Sequence, residues 1–353
     1  MTMNALSERQ RLILKEIVDR YIRQREPVSS RMILEDYGLD VSSATVRNEM
    51  NDLEAAGFIQ KPYSSSGRIP TMKGYRFFVN WLLDLSELTR EERLEVVETY
   101  ETRCLDVEET IRQTAFLLSN MTGAAAFVIP PRSDEMRLDR VALLQMTPRL
   151  AYLVIVSDIG VVEHGLVPLE DELTPGDIGR IADLINENLR GVYLSEVRQL
   201  AEDDTEGWYE RPVRDALVVL GRLLQRRLQR SVQFEGLFHL ADALQSVPAE
   251  SLMQQFTALG HALRDEEAFA SAIAKARMDR EGIVVSIGDF PLHGIEEFSV
   301  VSCSFRPHAG TLGVIGPLWM DYGRTLSAVR YIASRLETLL LGSCTQDAAE
   351  GRK

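Results

Sequence analysis

The stretch from Tyr37 to Arg76, YGLDVSSATVRNEMNDLEAAGFIQKPYSSSGRIPTMKGYR, restricts the fold of this chain more than any other, because helix, turn and hairpin signals follow one another there in a fixed order. Val46, Met50 and Leu53 are spaced four and then three, the buried stripe of one helix that begins at Ser42 or Ser43 and is closed by Gly57. Helical geometry then turns Thr45, Arg47, Asn48 and Asn51 away from that stripe. Upstream, Ser7 caps a helix with Leu12, Ile13, Ile17, Tyr21 and Ile22 on one face, and Pro27 ends it. Ser29 or Ser30 caps a second helix reaching Tyr37, with Gly38 as a left-handed terminator. Helix, short turn, helix is an arrangement that places its second helix in the major groove. Asn can pair with adenine, Arg with guanine, and the free N–H groups from Ser43 to Thr45 suit a phosphate. A three-helix unit that merely packs has the same periodicity, so periodicity leaves both readings open.

The continuation separates them. Phe58-Ile59-Gln60-Lys61 is β-prone, Tyr63 to Gly67 is a turn, and Arg68-Ile69-Pro70 returns. This is a wing whose tip carries Ser65 and Ser66 between Lys61 and Arg68, suited to a phosphate backbone or minor groove. Thr71 caps a further helix, Met72 to Leu85, with Tyr75, Phe78, Val79 and Leu82 inward; Lys73 and Arg76 lie outside, as phosphate contacts or solvated charges. A net charge of −14 argues against nucleic acid until its distribution is read. Residues 1–84 hold 12 Lys/Arg against 11 Asp/Glu, so the rest holds 27 of the 39 basic and 42 of the 53 acidic residues. Between Ala55 and Leu83 there are four basic residues and no acidic one, which confines the positive field to one end.

VSSATVRNEMNDLEAAGFI together with SSSGRIPTMKGYRFFV resembles the N-terminal domain of the HrcA heat-shock repressors. The resemblance implies a DNA-binding repressor, bound as a dimer to an inverted-repeat operator (CIRCE) upstream of chaperonin and DnaK-type operons. It further implies release on heat shock and modulation by the chaperonin. Carried onto this chain, the reading helix is Ser43 to Asn51 and the wing Lys61 to Arg68.

Residues 86–106 turn acidic and read as a connecting helix with a sparse stripe of Leu94, Val97 and Leu105. From Ala124 to Leu169, strand-sized pieces punctuated by Pro130-Pro131, Pro148 and Asp158 suggest one meander, and strand character returns only after Gly282. The expected class is α+β and multidomain: a winged helix-turn-helix over 1–85, a GAF-like α+β domain with an antiparallel sheet over 107–190 and 281–345, and a wholly helical dimerising insert over 191–280. Residues 346–353 are expected to form a flexible tail. The GAF-like and dimerising assignments follow the resemblance, which extends to GVIGPLWMDYGRT. Within the insert, Val213, Leu217, Leu220 and Leu224 share one helix face and are the expected dimer contacts. The chain departs from the family at Leu318-Trp319, at Ile287–Gly294 and at Gly236–Leu240, where effector or partner contacts are in doubt.

No catalytic constellation emerges. Five histidines lack metal-ligand spacing, and three cysteines, Cys104, Cys303 and Cys344, lack a C-x-x-C, so no metal or cofactor is expected. Gly310, Gly313 and Gly316 fall inside strand-like sequence rather than in a phosphate turn. No apolar run spans a bilayer, and the N-terminus lacks a signal-peptide core, so a cytoplasmic location is expected. The competing reading is a metabolite-responsive regulator with a ligand in its GAF-like domain. A polar cavity between sheet and helices would favour it, and a core filled by Phe127, Val154, Ile155 and Phe305 would oppose it.

Overall fold

The computed structural model describes residues 6–350 apart from 38–41, 64–66, 104–106, 132–135, 161, 203–210, 228–231, 245–248, 277–281, 296 and 307–309. At the N-terminal end, Ser7 and Gln10 form a capping box for α1 (Glu8–Gln24), which closes at Arg25 in the left-handed region with φ 59°. α2 (Ser30–Tyr37) and α3 (Ser43–Ala55) follow, and Ser42 caps α3 by accepting from the Thr45 N–H. Ile13, Leu14, Ile17, Ile33, Val46, Met50 and Leu53 close the space between the three helices. Leu12, expected inward, faces solvent, and Leu14 takes its place. The wing strands β1 (Ile59–Gln60) and β2 (Ile69–Pro70) pair antiparallel, and Thr71 caps α4 (Met72–Trp81). Gly38 and the tip serines Ser65 and Ser66 lie outside the described residues.

α5 (Arg90–Arg103) is the connecting helix, but it buries Val96 and Tyr100 while Leu94 faces solvent. Tyr100 reaches Thr114 of α6 (Val107–Thr122), with 2.9 Å between the hydroxyls. The trunk beyond is built on two separate sheets. β3 (Ala125–Ile129) does not continue into the next three strands. Instead β4 (Leu138–Thr147), β5 (Leu150–Ser157) and β6 (Val162–Pro168) make their own antiparallel sheet. The single meander expected from sequence is therefore corrected, and residue pattern explains the split. Every residue of AAFVI in β3 is buried and needs a layer on each face, whereas LAYLVIVS in β5 alternates buried with half-buried and needs one. That layer is supplied by α7 (Pro175–Leu189), α8 (Leu194–Glu202) and α9 (Arg211–Arg227).

The expected helical insert over 191–280 is corrected as well. Its first helices belong with the three-stranded sheet. Further on it contains a strand, β7 (Gln233–Glu235), too short for periodicity to reveal. Val213, Leu217, Leu220 and Leu224 of α9 are all buried against the sheet, so the residues proposed for dimer contact form the core of this unit instead. β7 pairs with β3, and with β8 (Ile283–Ile287), β9 (Phe298–Phe305) and β10 (Gly310–Pro317) they give a five-stranded antiparallel sheet in the order β7-β3-β10-β9-β8. α10 (Leu237–Ala243), α11 (Ala249–Arg264) and α12 (Glu266–Lys275) cover one face through Phe127, Phe269, Phe298 and Ile315. α6 and α13 (Tyr322–Glu350) cover the other through Ala126, Val128, Val301, Leu312 and Val314. α13 continues to Glu350, so residues 346–350, expected as flexible tail, are helical.

The winged helix and the five-stranded sheet share one apolar core. Buried side chains run without a break from Ile13 and Phe77 in the head to Tyr322, Ile332 and Leu336 of α13. Tyr75 of α4 sits with its ring centroid 6.2 Å from that of Tyr322, and burial pushes its hydroxyl pKa well above the usual tyrosine value.

Candidate nucleic-acid interface

α3 presents one polar face. Arg47 and Asn48 are exposed, and among the described residues neither has a hydrogen-bond or ion-pair partner. Thr45 is half-buried, with its hydroxyl 3.0 Å from that of Ser42, and Ser43 stands 3.5 Å from Ser30. The Thr45 N–H is already bonded to Ser42, so the open donors at this helix end are Ser43 and Ala44 rather than the whole run from Ser43 to Thr45. These two N–H groups and the helix dipole favour a phosphate at the end from which Arg47 and Asn48 project.

Arg68 does something other than flank the tip. It is 8% exposed, donates to Asn51 Oδ1 at 2.9 Å, and lies 2.9 Å from Glu54 Oε2. Lys61 lies 3.8 Å from the same Glu54 oxygen. Asn51 and Glu54 are one helical turn apart on α3, so a single guanidinium ties the wing to the reading helix. Asn51 is exposed, and its carbonyl oxygen, which has two lone pairs, shares one of them with Arg68. The expectation of Arg68 as a phosphate contact is corrected accordingly. A charge count over Ala55–Leu83 could not detect this, because Glu54 stands one residue outside that window.

The rest of the GRIP-T-x-KGYR segment is also structural. A Cβ on Gly67 would lie 2.5 Å from the Val28 carbonyl oxygen, where Val28 and Arg68 pair as a bridge, and one on Gly74 would lie 2.1 Å from the Phe58 oxygen. Only glycine allows those approaches. The Thr71 hydroxyl donates at 2.7 Å to Gly57 O, and Lys73 Nζ donates at 2.6 Å to Ala56 O while lying 4.5 Å over the Phe58 ring. Arg76 turns towards the trunk, donating to Ile287 O at 2.9 and 2.7 Å, with Asp289 Oδ2 at 3.2 Å. Lys73 and Arg76, expected as phosphate contacts or solvated charges, are instead bonded within the protein, Lys73 to the end of α3 and Arg76 to the trunk. Tyr63, at the start of the tip, is 77% exposed, and sequence reasoning passed over it as a turn residue.

Elsewhere the described residues include no group of three or more His, Cys, Asp or Glu able to hold a metal, and Cys303 is a buried thiol that donates to the Ser304 carbonyl oxygen at 3.4 Å. No helix is long and apolar enough to cross a membrane among the described residues. The sheet face under α10–α12 is filled by aromatic rings: Phe269 meets Phe127 edge-on at 5.0 Å, Phe234 at 5.4 Å and Phe290 at 6.0 Å.

Comparison with known proteins agrees with this geometry. Residues 5–81 match the family model of the winged helix-turn-helix transcription repressor HrcA, DNA-binding, and residues 108–326 that of the HrcA protein C terminal domain. The heat-inducible transcription repressor HrcA of Shouchella clausii is 34% identical over 344 residues, covering 96% of this chain and 99% of its own. That of Halalkalibacterium halodurans is 34% identical over 342 residues, covering 95% and 98%. A crystal structure of a hypothetical protein at 2.2 Å resolution is similar with a TM-score of 0.65 and 26% identity, over 96% of this chain and 99% of that one.

Proposed function

Because the chain belongs to the HrcA family of heat-inducible transcription repressors, which are not enzymes, we propose that it acts as a homodimer on an inverted-repeat operator of the CIRCE type. The operons under its control are those of the chaperonin and of DnaK-type chaperones. The observation that carries this reading is the exposed pair Arg47 and Asn48 on a helix whose wing and neighbouring helix are tied behind it. Arg47 reads guanine, Asn48 reads adenine, and the N–H groups of Ser43 and Ala44 take a phosphate. Lys61 and the tip serines Ser65 and Ser66 belong to the wing contact.

A dimer is needed on energetic grounds. With Arg68, Lys73 and Arg76 engaged internally, one head has few cations left for phosphates, so its binding is weak and salt-sensitive; two linked heads multiply affinity through effective concentration. The surface that suits pairing is the outer face of β4–β6, where Leu144, Met146 and Leu166 are exposed beside Tyr152. It takes the place of the buried α9 residues. Heating releases the operator and the chaperonin restores binding. Equal recovery with and without chaperonin after mild heating would remove the chaperonin from this account.

The central test is a footprint on operator DNA. Arg47→Ala and Asn48→Ala are expected to abolish protection of the palindrome while sedimentation still shows a dimer. Wild-type protection by both variants would mean the reading helix is misassigned. The aromatic filling around Phe269 opposes the metabolite-responsive alternative.

A further inference from the structure

We propose that the contact between α4 and the end of β8, centred on Arg76 and Asp289, sets the angle of each DNA-reading head and so fixes the half-site spacing that an operator must have. The inference rests on the dimeric reading above and adds positioning residues to it.

The covalent path from head to trunk is one irregular segment, from Leu82, which ends α4, to Thr89 before α5. A single tether leaves a domain free to swivel unless surface contacts hold it. Apolar packing between Tyr75 and Tyr322 holds the two bodies together but is not directional. Direction comes from Arg76. Its Nε and Nη2 both donate to the Ile287 carbonyl oxygen, and Nη2 also faces Asp289 Oδ2. A planar guanidinium held at two points fixes an orientation in a way that an ammonium does not.

The receptacle is rigid without Arg76. Asp289 Oδ1 accepts from the Ser286 hydroxyl at 2.5 Å and from the Ile287 N–H at 3.0 Å, which locks the turn that follows β8. Two further contacts on the same interface resist rotation. The Arg25 guanidinium lies 5.6 Å over the Trp319 ring, and Lys15 Nζ bonds Asp84 Oδ2 at 2.5 Å. Asp84 is also where the tether passes α13 so closely that a Cβ on Gly323 would lie 2.9 Å from its carbonyl oxygen.

A head fixed at one angle can meet a second half-site only where the duplex turns it to the right side. Since B-DNA turns once in about 10–10.5 base pairs, five extra base pairs between half-sites put the second one on the opposite side. A head that can swivel follows this change better than one that cannot.

The test uses the full-length protein with three DNAs: an operator of the preferred spacing, the same operator with five base pairs inserted, and a single half-site. Asp289→Asn keeps the Oδ1 acceptor for Ser286 and Ile287 and removes the charge facing Arg76. Half-site affinity is expected to stay at the wild-type value, while the preference for the correct spacing narrows about tenfold, a fraction of the avidity a linked pair supplies. Arg76→Lys, which keeps the charge but loses the fork, should narrow the same ratio. An unchanged ratio in both variants overturns the proposal. So does an equal loss on all three DNAs, which would reflect damage to the fold. If wild-type protein binds the preferred operator no more tightly than a single half-site, the dimeric reading fails, and this inference with it; if it binds the operator more tightly than the half-site yet shows no spacing preference, this inference alone fails, and both results are read on the wild type before either variant.

Discussion

Arg68→Ala removes a guanidinium that is 2.9 Å from both Asn51 Oδ1 and Glu54 Oε2 and almost wholly buried. Breaking a hydrogen bond to a charged group costs about 1.5–3 kcal/mol, and two are lost. Glu54 is partly solvated and has Lys61 at 3.8 Å to fall back on, so the loss is nearer one such bond than two. We expect about 2 kcal/mol of destabilisation on this reasoning. Because head and trunk share a core, the unfolding unit is large, and a loss of that size lowers the melting midpoint by about 4–8 °C. DNA binding supplies the second readout. A lost phosphate contact lowers the slope of log affinity against log salt by about one, whereas a lost internal clamp leaves the slope at its wild-type value. Thermal melts and binding isotherms at several salt concentrations measure both quantities. An unchanged midpoint with a slope reduced by about one would refute the clamp and return Arg68 to the DNA.

Gly74→Ala places a Cβ 2.1 Å from the Phe58 carbonyl oxygen and should cost more than about 3 kcal/mol in denaturant unfolding; Gly179→Ala in α7, with no atom within 4 Å, should be neutral or gain about 0.4–1 kcal/mol. Leu166→Asp on the outer sheet face should yield a folded monomer by sedimentation, whereas Leu217→Asp, in the core beneath, should unfold the unit of β4–β6 and α7–α9. Asp177 closes the capping box of α7, and hydrogen bonds from Thr174 and then Arg180 hold its carboxyl down at about 2. A depressed folded pKa stabilises above the ordinary carboxylate range and loses that support as pH falls through about 2. The Asp177 carboxyl resonance should titrate near there, and Asp177→Asn should erase the acid-side dependence of α7.

α3 was legible because its signal is local: a cap at Ser42, a stripe four and three apart, and polar residues forced to the other side. The hairpin was legible for the same reason. Its basic residues were not, since the partners of Arg68 are Asn51 and Glu54 on α3 and the partner of Arg76 is Ile287, more than two hundred residues on. Charge patterning shows where cations lie in the chain and is blind to which are already held. In the trunk, strands were found but their sheets were not. Which strand joins which sheet depends on whether one face or both must be covered, and the helices that cover β3 are scattered from Val107 to Leu340. A three-residue strand such as β7 has no periodicity to read. The α9 stripe was correctly placed on one face, but burial inside a unit and burial between two copies leave the same pattern in a sequence.

The place of β3 has a consequence for synthesis of the chain. Its neighbours in the sheet are β7 and β10, and both are translated after it. The nearer of the two, β7, emerges roughly a hundred residues later, which at about 5–20 residues per second is several seconds or more. During that interval AAFVI is an apolar strand with both edges bare, a template for pairing with any other nascent strand. The unit of β4–β6 and α7–α9 draws its buried core from Met136 to Leu224 and can be complete while β3 still waits. Five apolar residues thus have their edges covered only by strands made after that unit is finished.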